Sequence, residues 1–122
     1  MTSISINGHV NANIPSDLID SMGFCYGYGI FETCRIVNST LPFMTHHLKR
    51  LRSSAKALSL PLLYSDNEIQ NFISELISNG NESHNKCNIY LVAGNATDTM
   101  HPKNSTLIIK SSYHSISPLA KE

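Results

Sequence analysis

The run from Gly27 to Ser54 constrains this chain more than any other stretch. Gly27 and Gly29 bracket Tyr28, and glycines so close together mark a tight backbone path or a near approach to another group. From Ile30 to Val37 the side chains alternate as a strand requires. Successive strand side chains point to opposite faces. Ile30, Glu32, Cys34 and Ile36 therefore share one side, and Phe31, Thr33, Arg35 and Val37 the other. Asn38-Ser39-Thr40 reads as a turn, and Leu41-Pro42-Phe43-Met44 as a short partner strand. Thr45 is the expected N-cap of a helix whose buried stripe is Leu48, Leu51, Ala55 and Leu58. His47, Arg50 and Ser54 follow one another at i, i+3 and i+7, so they form a ridge beside that stripe. An imidazole, a guanidinium and a hydroxyl on one ridge suit a phosphate, because arginine offers paired donors matched to phosphate oxygens. The same residues also suit an ordinary solvated face, since exposed arginine is common.

Length and charge narrow the classes. The 122 residues fit one domain with a modest core. Basic and acidic residues number 9 each, giving a formal net charge of zero, which argues against a nucleic-acid surface. Cys25, Cys34 and Cys87 follow no metal-ligand spacing; they read as reduced, buried small hydrophobes, and no metal is expected. No leader peptide is read, and no apolar run is long enough to span a bilayer, so the expected setting is cytoplasmic and off the membrane. Four Asn-x-Ser/Thr patterns, at Asn38, Asn81, Asn95 and Asn104, read as by-products of an Asn- and Ser-rich composition.

In chain order, Ser3 to Ile6 alternates as a strand, and Asn7-Gly8 is a strong hairpin turn into His9-Val10. Residues 11–24 read as connecting loop, with Pro15, Asp17, Asp20 and Gly23 as breakers. Leu60-Pro61 closes the first helix. Ser65 and Glu68 form a capping box for a second helix. Its stripe is Ile69, Phe72, Ile73, Leu76 and Ile77, with Gly80 at its end. After a polar loop over 79–86, Cys87 to Ala93 and Thr106 to Lys110 are further strands, separated by a loop rich in Asn, Thr and Asp. Strands, two helices, then strands favour an α+β fold, a mainly antiparallel sheet covered by two helices. The domain is expected over 1–111, with a linker beginning at 112–122.

Four segments together carry a family resemblance. They are Ile6-Asn7-Gly8, Tyr26-Gly27-Tyr28-Gly29-Ile30-Phe31-Glu32-Thr33-Cys34-Arg35, His47-Leu48-Lys49-Arg50-Leu51 and Ser54-Ala55. In this order and spacing the chain resembles the amino-terminal half of the class IV aminotransferases. These fold-type IV pyridoxal 5′-phosphate enzymes include branched-chain aminotransferase, D-amino-acid aminotransferase and 4-amino-4-deoxychorismate lyase. The resemblance implies a small amino-terminal α+β domain, a larger carboxy-terminal domain, and cofactor held between them in a homodimer. It implies that Arg50 binds the cofactor phosphate, that Phe31 borders the substrate, and that Tyr26 and Arg35 are pocket positions. His47 is expected to orient its helix.

The Schiff-base lysine and the carboxylate facing the pyridine nitrogen are expected beyond Glu122. Lys121 falls too early in the pattern, so residues 1–122 alone are expected to be inactive. Asp98 and Met100 stand where D-amino-acid aminotransferase has a basic pair, and Asn88 where branched-chain aminotransferase has arginine. The chain thus reads as lyase-like or as a broad aminotransferase, acting on an amino acid or an aminodeoxychorismate-like substrate. Arg35 either meets an acidic substrate or pairs with a carboxylate of the other domain. The other reading is a stand-alone α+β binding or dimerisation domain without chemistry.

Overall fold

The computed structural model describes residues 2–11, 21, 23–24, 27–80, 83–94 and 104–115. Strand β1 (Ser3–Ile6) meets β2 (His9–Val10) across Asn7-Gly8. Both turn residues take positive φ, 50° and 85°, the geometry of the two-residue hairpin turns. Gly8 is needed twice over, because a Cβ there would also come within 2.6 Å of the Phe72 ring.

Strand β3 (Gly29–Arg35) keeps the expected alternation, with Glu32 and Cys34 buried and Phe31, Thr33 and Arg35 exposed. Beyond it the structure departs from the sequence reading. Asn38 and Ser39 both have positive φ, and Val37 and Thr40 close a tight turn through two backbone hydrogen bonds of 2.8 and 3.0 Å. The pairing ends at that single bridge, so Leu41–Met44 is not a strand; Pro42-Phe43 is a turn. Helix α1 (Met44–Ala57) starts one residue before Thr45, and its N-cap is Phe43, in left-handed conformation at φ 64° with no side-chain cap. Leu48, Leu51 and Ala55 form the buried stripe as expected, whereas Leu58 is the C-cap and is exposed.

Helix α2 (Asp66–Ser78) begins with the full capping box: the Ser65 hydroxyl accepts from the Glu68 N–H, and the Glu68 carboxylate accepts from the Ser65 N–H. Ile69, Ile73 and Leu76 are buried, with Phe72 and Ile77 half-buried beside them. Strands β4 (Lys86–Ala93) and β5 (Ser105–Ser112) complete the sheet; β5 runs two residues past the Lys110 end read from sequence. The strand order is β2-β1-β5-β4-β3, antiparallel throughout. This is the expected α+β architecture.

Both helices cover one face of the sheet, α1 over β3 and α2 over β1, β2 and β5. The core lies between them. Helical Leu48, Leu51, Ile69, Ile73 and Leu76 meet Ile89 and Leu91 of β4 and Leu107 and Ile109 of β5. Each such side chain contributes roughly 1.5–3 kcal/mol on burial. Two polar ties fix α1 in place. The Tyr28 hydroxyl donates to the Leu58 carbonyl at the helix end, and Arg52 donates to the Tyr64 carbonyl and to Asp66 at the start of α2. Among the described residues no helix is long and apolar enough to cross a membrane.

Candidate cofactor and substrate site

Strand alternation places Glu32 on the helix-covered face, at 9% exposure. A carboxylate there requires partners, because an unpaired buried charge is strongly destabilising. Helix α1 supplies them. His47 and Arg50 stand one turn apart on the side of α1 that faces β3. His47 Nδ1 lies 2.8 Å from Glu32 Oε1. Arg50 Nη2 donates to Oε1 at 2.7 Å, and Nε lies 3.2 Å from Oε2. The guanidinium is thus gripped along one edge. Its side chain is nonetheless 69% exposed, and Nη1 makes no hydrogen bond among the described residues.

Burial pushes the Glu32 carboxyl pKa up, but the hydrogen bonds and charges of Arg50 and His47 outweigh it and hold the group below its ordinary 4.5. Stability from this cluster is therefore present above pH 4.5 and is lost as pH falls through the lower, folded value. Glu32→Gln should flatten that part of the acid-side loss. Denaturant midpoints measured between neutral pH and about pH 3 would check it, and an unchanged acid limb in the variant would exclude Glu32 as its source. The nearby thiols are not nucleophiles at neutral pH. Burial, followed by the charge of Glu32, pushes Cys34 up to about 11, and burial pushes Cys87 up to about 12.

Phe31 and Arg35 project from the opposite face. Phe31 leans on Tyr90 across the strand pair, ring centroids 6.2 Å apart. Between Phe31 and Arg35, Thr33 accepts a 3.0 Å hydrogen bond from Asn88 Nδ2. Arg35 borders an open cleft of about 260 Å³ shared with Thr33, Asn85, Lys86 and His114. Two hydrogen bonds between the Asn85 amide and the His114 backbone, 2.7 and 3.0 Å, hold one wall of that cleft.

The structure thus brings Arg50 and His47 together and sets Phe31 and Arg35 on the other side of β3. The two groups remain reachable from one direction, because β3 is the edge strand of the sheet. Tyr26, Asp98, Met100 and Lys121 lie outside the described residues. Glu32 is the site residue that the sequence reading missed. Its signal was a lone acid on the same strand face as Cys34 and Ile36.

An exposed guanidinium with one edge pinned and the other free fits a phosphate group, since arginine binds phosphate through planar, paired donors. Comparison with known proteins identifies the family of the chain. Residues 29–122 match the family described as amino-transferase class IV. A D-alanine aminotransferase of Listeria monocytogenes is 30% identical over 89 residues, 72% of this chain and 30% of the relative. The solved structure of a Legionella pneumophila protein, provisionally named a 4-amino-4-deoxychorismate lyase, is 30% identical and superposes with a TM-score of 0.76 over 85% of this chain and 39% of its own. An aminotransferase from Brucella abortus, bound to pyridoxal phosphate, shares the fold at a TM-score of 0.79 and 16% identity, over 95% of this chain and 43% of its own. The chain spans less than half the length of each. With most of its residues matched, it belongs to the class IV aminotransferase family.

Proposed function

We propose that this chain forms the amino-terminal part of a pyridoxal-phosphate enzyme acting as a class IV aminotransferase or a 4-amino-4-deoxychorismate lyase. Residues 1–111 are its small domain, followed by a linker from Ser112. Arg50 binds the cofactor phosphate, and Tyr26, Phe31 and Arg35 border an amino acid or aminodeoxychorismate-like substrate. The enzyme works as a cytoplasmic homodimer. The cofactor-anchoring lysine is assigned to the carboxy-terminal domain, so activity is proposed for the two-domain protein and not for residues 1–122 by themselves.

The observation that carries this reading is the free edge of Arg50, aimed by Glu32. Pyridoxal phosphate, when bound, supplies the electron sink for chemistry at the substrate Cα. The residues of this chain position it. Glu32 and His47 hold the guanidinium in one orientation, which spares part of the ordering that phosphate binding would otherwise require. Phe31 offers an apolar wall, and Arg35 a positive charge two residues beyond Thr33.

The test is discrimination by the two-domain protein between pyridoxal 5′-phosphate and dephosphorylated pyridoxal. A phosphate held by a charged donor should be worth roughly ten- to a hundredfold in affinity, the scale of hydrogen bonds to charged groups. Equal affinity for the two, or none for either, would favour a binding or dimerisation domain without chemistry.

A further inference from the structure

We infer that the outer surface of the two helices docks a second copy of this chain, with Lys49 and Lys56 of one copy against Glu75 and Glu68 of the other. The surface lies on the far side of the sheet from Phe31 and Arg35. It is therefore separate from the face assigned to substrate, and it does not depend on that assignment.

Charge is divided between the helices although the chain as a whole is neutral. Helix α1 carries Lys49, Arg50, Arg52 and Lys56 and no acid, whereas α2 carries Asp66, Glu68 and Glu75 and no base. Within one copy only part of this charge is matched. Arg50 is paired with Glu32, and Arg52 with Asp66. Lys49, Lys56, Glu68 and Glu75 are exposed and take part in none of the ion pairs found among the described residues. A basic helix beside an acidic one makes a self-complementary surface, because a two-fold rotation sets each against its opposite in the second copy.

Spacing makes the match specific. Lys49 and Lys56 are seven residues apart, and so are Glu68 and Glu75. Two helical turns separate the members of each pair, about 10.5 Å along the axis, and each pair keeps to one flank of its helix. Lys49 and Lys56 share their flank of α1 with Arg52, which reaches toward α2 through Asp66 and the Tyr64 carbonyl. Arg50 leaves the helix on the other flank, toward Glu32 of β3, so docking and phosphate binding use different sides of α1. The helices run antiparallel: Met44 at the start of α1 shares a groove with Ile73 and Ile77, while Arg52 reaches the start of α2. A two-fold axis parallel to the helices keeps α1 of the second copy antiparallel to α2 of the first. Lys49 then meets Glu75 and Lys56 meets Glu68, twice over. Asn67, Asn71, Ser74 and Ser78 form an exposed stripe of α2 beside the acids, short and uncharged. Two copies of α2 can therefore approach without opposing like charges. Helices about 20 Å long give a patch roughly 20 Å square, smaller than the ~800 Å² that each partner buries in a stable complex. The association is thus weak, reversible and sensitive to salt.

Sedimentation equilibrium of the full chain, at low ionic strength and at high, measures the association, which should weaken as salt screens the pairs. Lys49→Glu sets a second carboxylate against Glu75, and Glu75→Lys sets a second ammonium against Lys49. Each variant alone should therefore self-associate at least roughly tenfold more weakly than the unaltered chain. An equimolar mixture of the two should regain the original affinity, because every altered charge then meets its opposite. Misfolded chains could not produce that recovery. Unchanged association in the single variants would put any dimer on another surface and overturn the inference. Failure of the mixture to recover, or a chain that stays monomeric at a concentration on the order of 1 mM, would overturn it equally. In the two-domain protein, a dimer that holds cofactor between its subunits should survive both single variants. Docking through the helices and the proposed enzyme can therefore fail independently.

Discussion

Replacing Ile89 with alanine is expected to lower the stability of this chain by about 2–5 kcal/mol, the range for large-to-small changes in a core that relaxes only in part. Ile89 is fully buried, at 0% exposure. It sits mid-way along β4, a strand paired on both sides, opposite Glu32 of β3 and Ile109 of β5. Its side chain faces the helices and cannot be replaced there by water without a polar partner. Against a typical total stability of about 5–15 kcal/mol, this single change would bring the chain close to unfolding. Ile89→Val, which removes one methylene, should cost about 0.5–1.5 kcal/mol. Urea midpoints at constant slope measure both. A loss below about 1 kcal/mol for the alanine variant, against the 2–5 expected of a rigid core, would show that the layer over β4 can collapse.

Local devices were legible in the sequence, and contacts between distant segments were not. The Asn7-Gly8 turn and the Ser65–Glu68 capping box are written in neighbouring residues. So is the alternation of β3, and each formed where it was read. Sheet order is different in kind. β1 lies beside β5, about a hundred residues away, and Asn7 Oδ1 accepts from the Leu107 N–H at 2.9 Å; nothing within either strand specifies the other. The start of α1 was misread because Thr45 looks like a cap, whereas the chain enters the helix through a left-handed Phe43. A conformation of that kind depends on the tight turn before it and on the packing of Met44 and Leu41 against the core. At the candidate site, helical spacing put His47 and Arg50 on one ridge, and family resemblance assigned a phosphate to it. Neither supplied the buried Glu32 that both residues grip, because that pairing crosses from helix to strand.

Arg50→Met in the two-domain protein should weaken pyridoxal 5′-phosphate binding by roughly ten- to a hundredfold and leave affinity for dephosphorylated pyridoxal nearly unchanged. Interpretation turns on Glu32. Without the guanidinium this carboxylate stays buried with His47 as its remaining partner, so the variant also loses stability and its acid limb moves to higher pH. Lost affinity could then reflect a loosened fold instead of a lost phosphate contact. A second substitution separates the two causes. Glu32→Gln combined with Arg50→Met removes the unpaired charge, and it should recover much of the stability because a neutral amide costs far less to bury. Affinity for the phosphorylated cofactor should stay low in the double variant. Glu32→Gln alone should fall between, since neutral hydrogen bonds hold the guanidinium less firmly than charge-assisted ones. If the double variant regained cofactor affinity along with its stability, Arg50 would be a structural partner of Glu32, and the phosphate would have to be bound elsewhere.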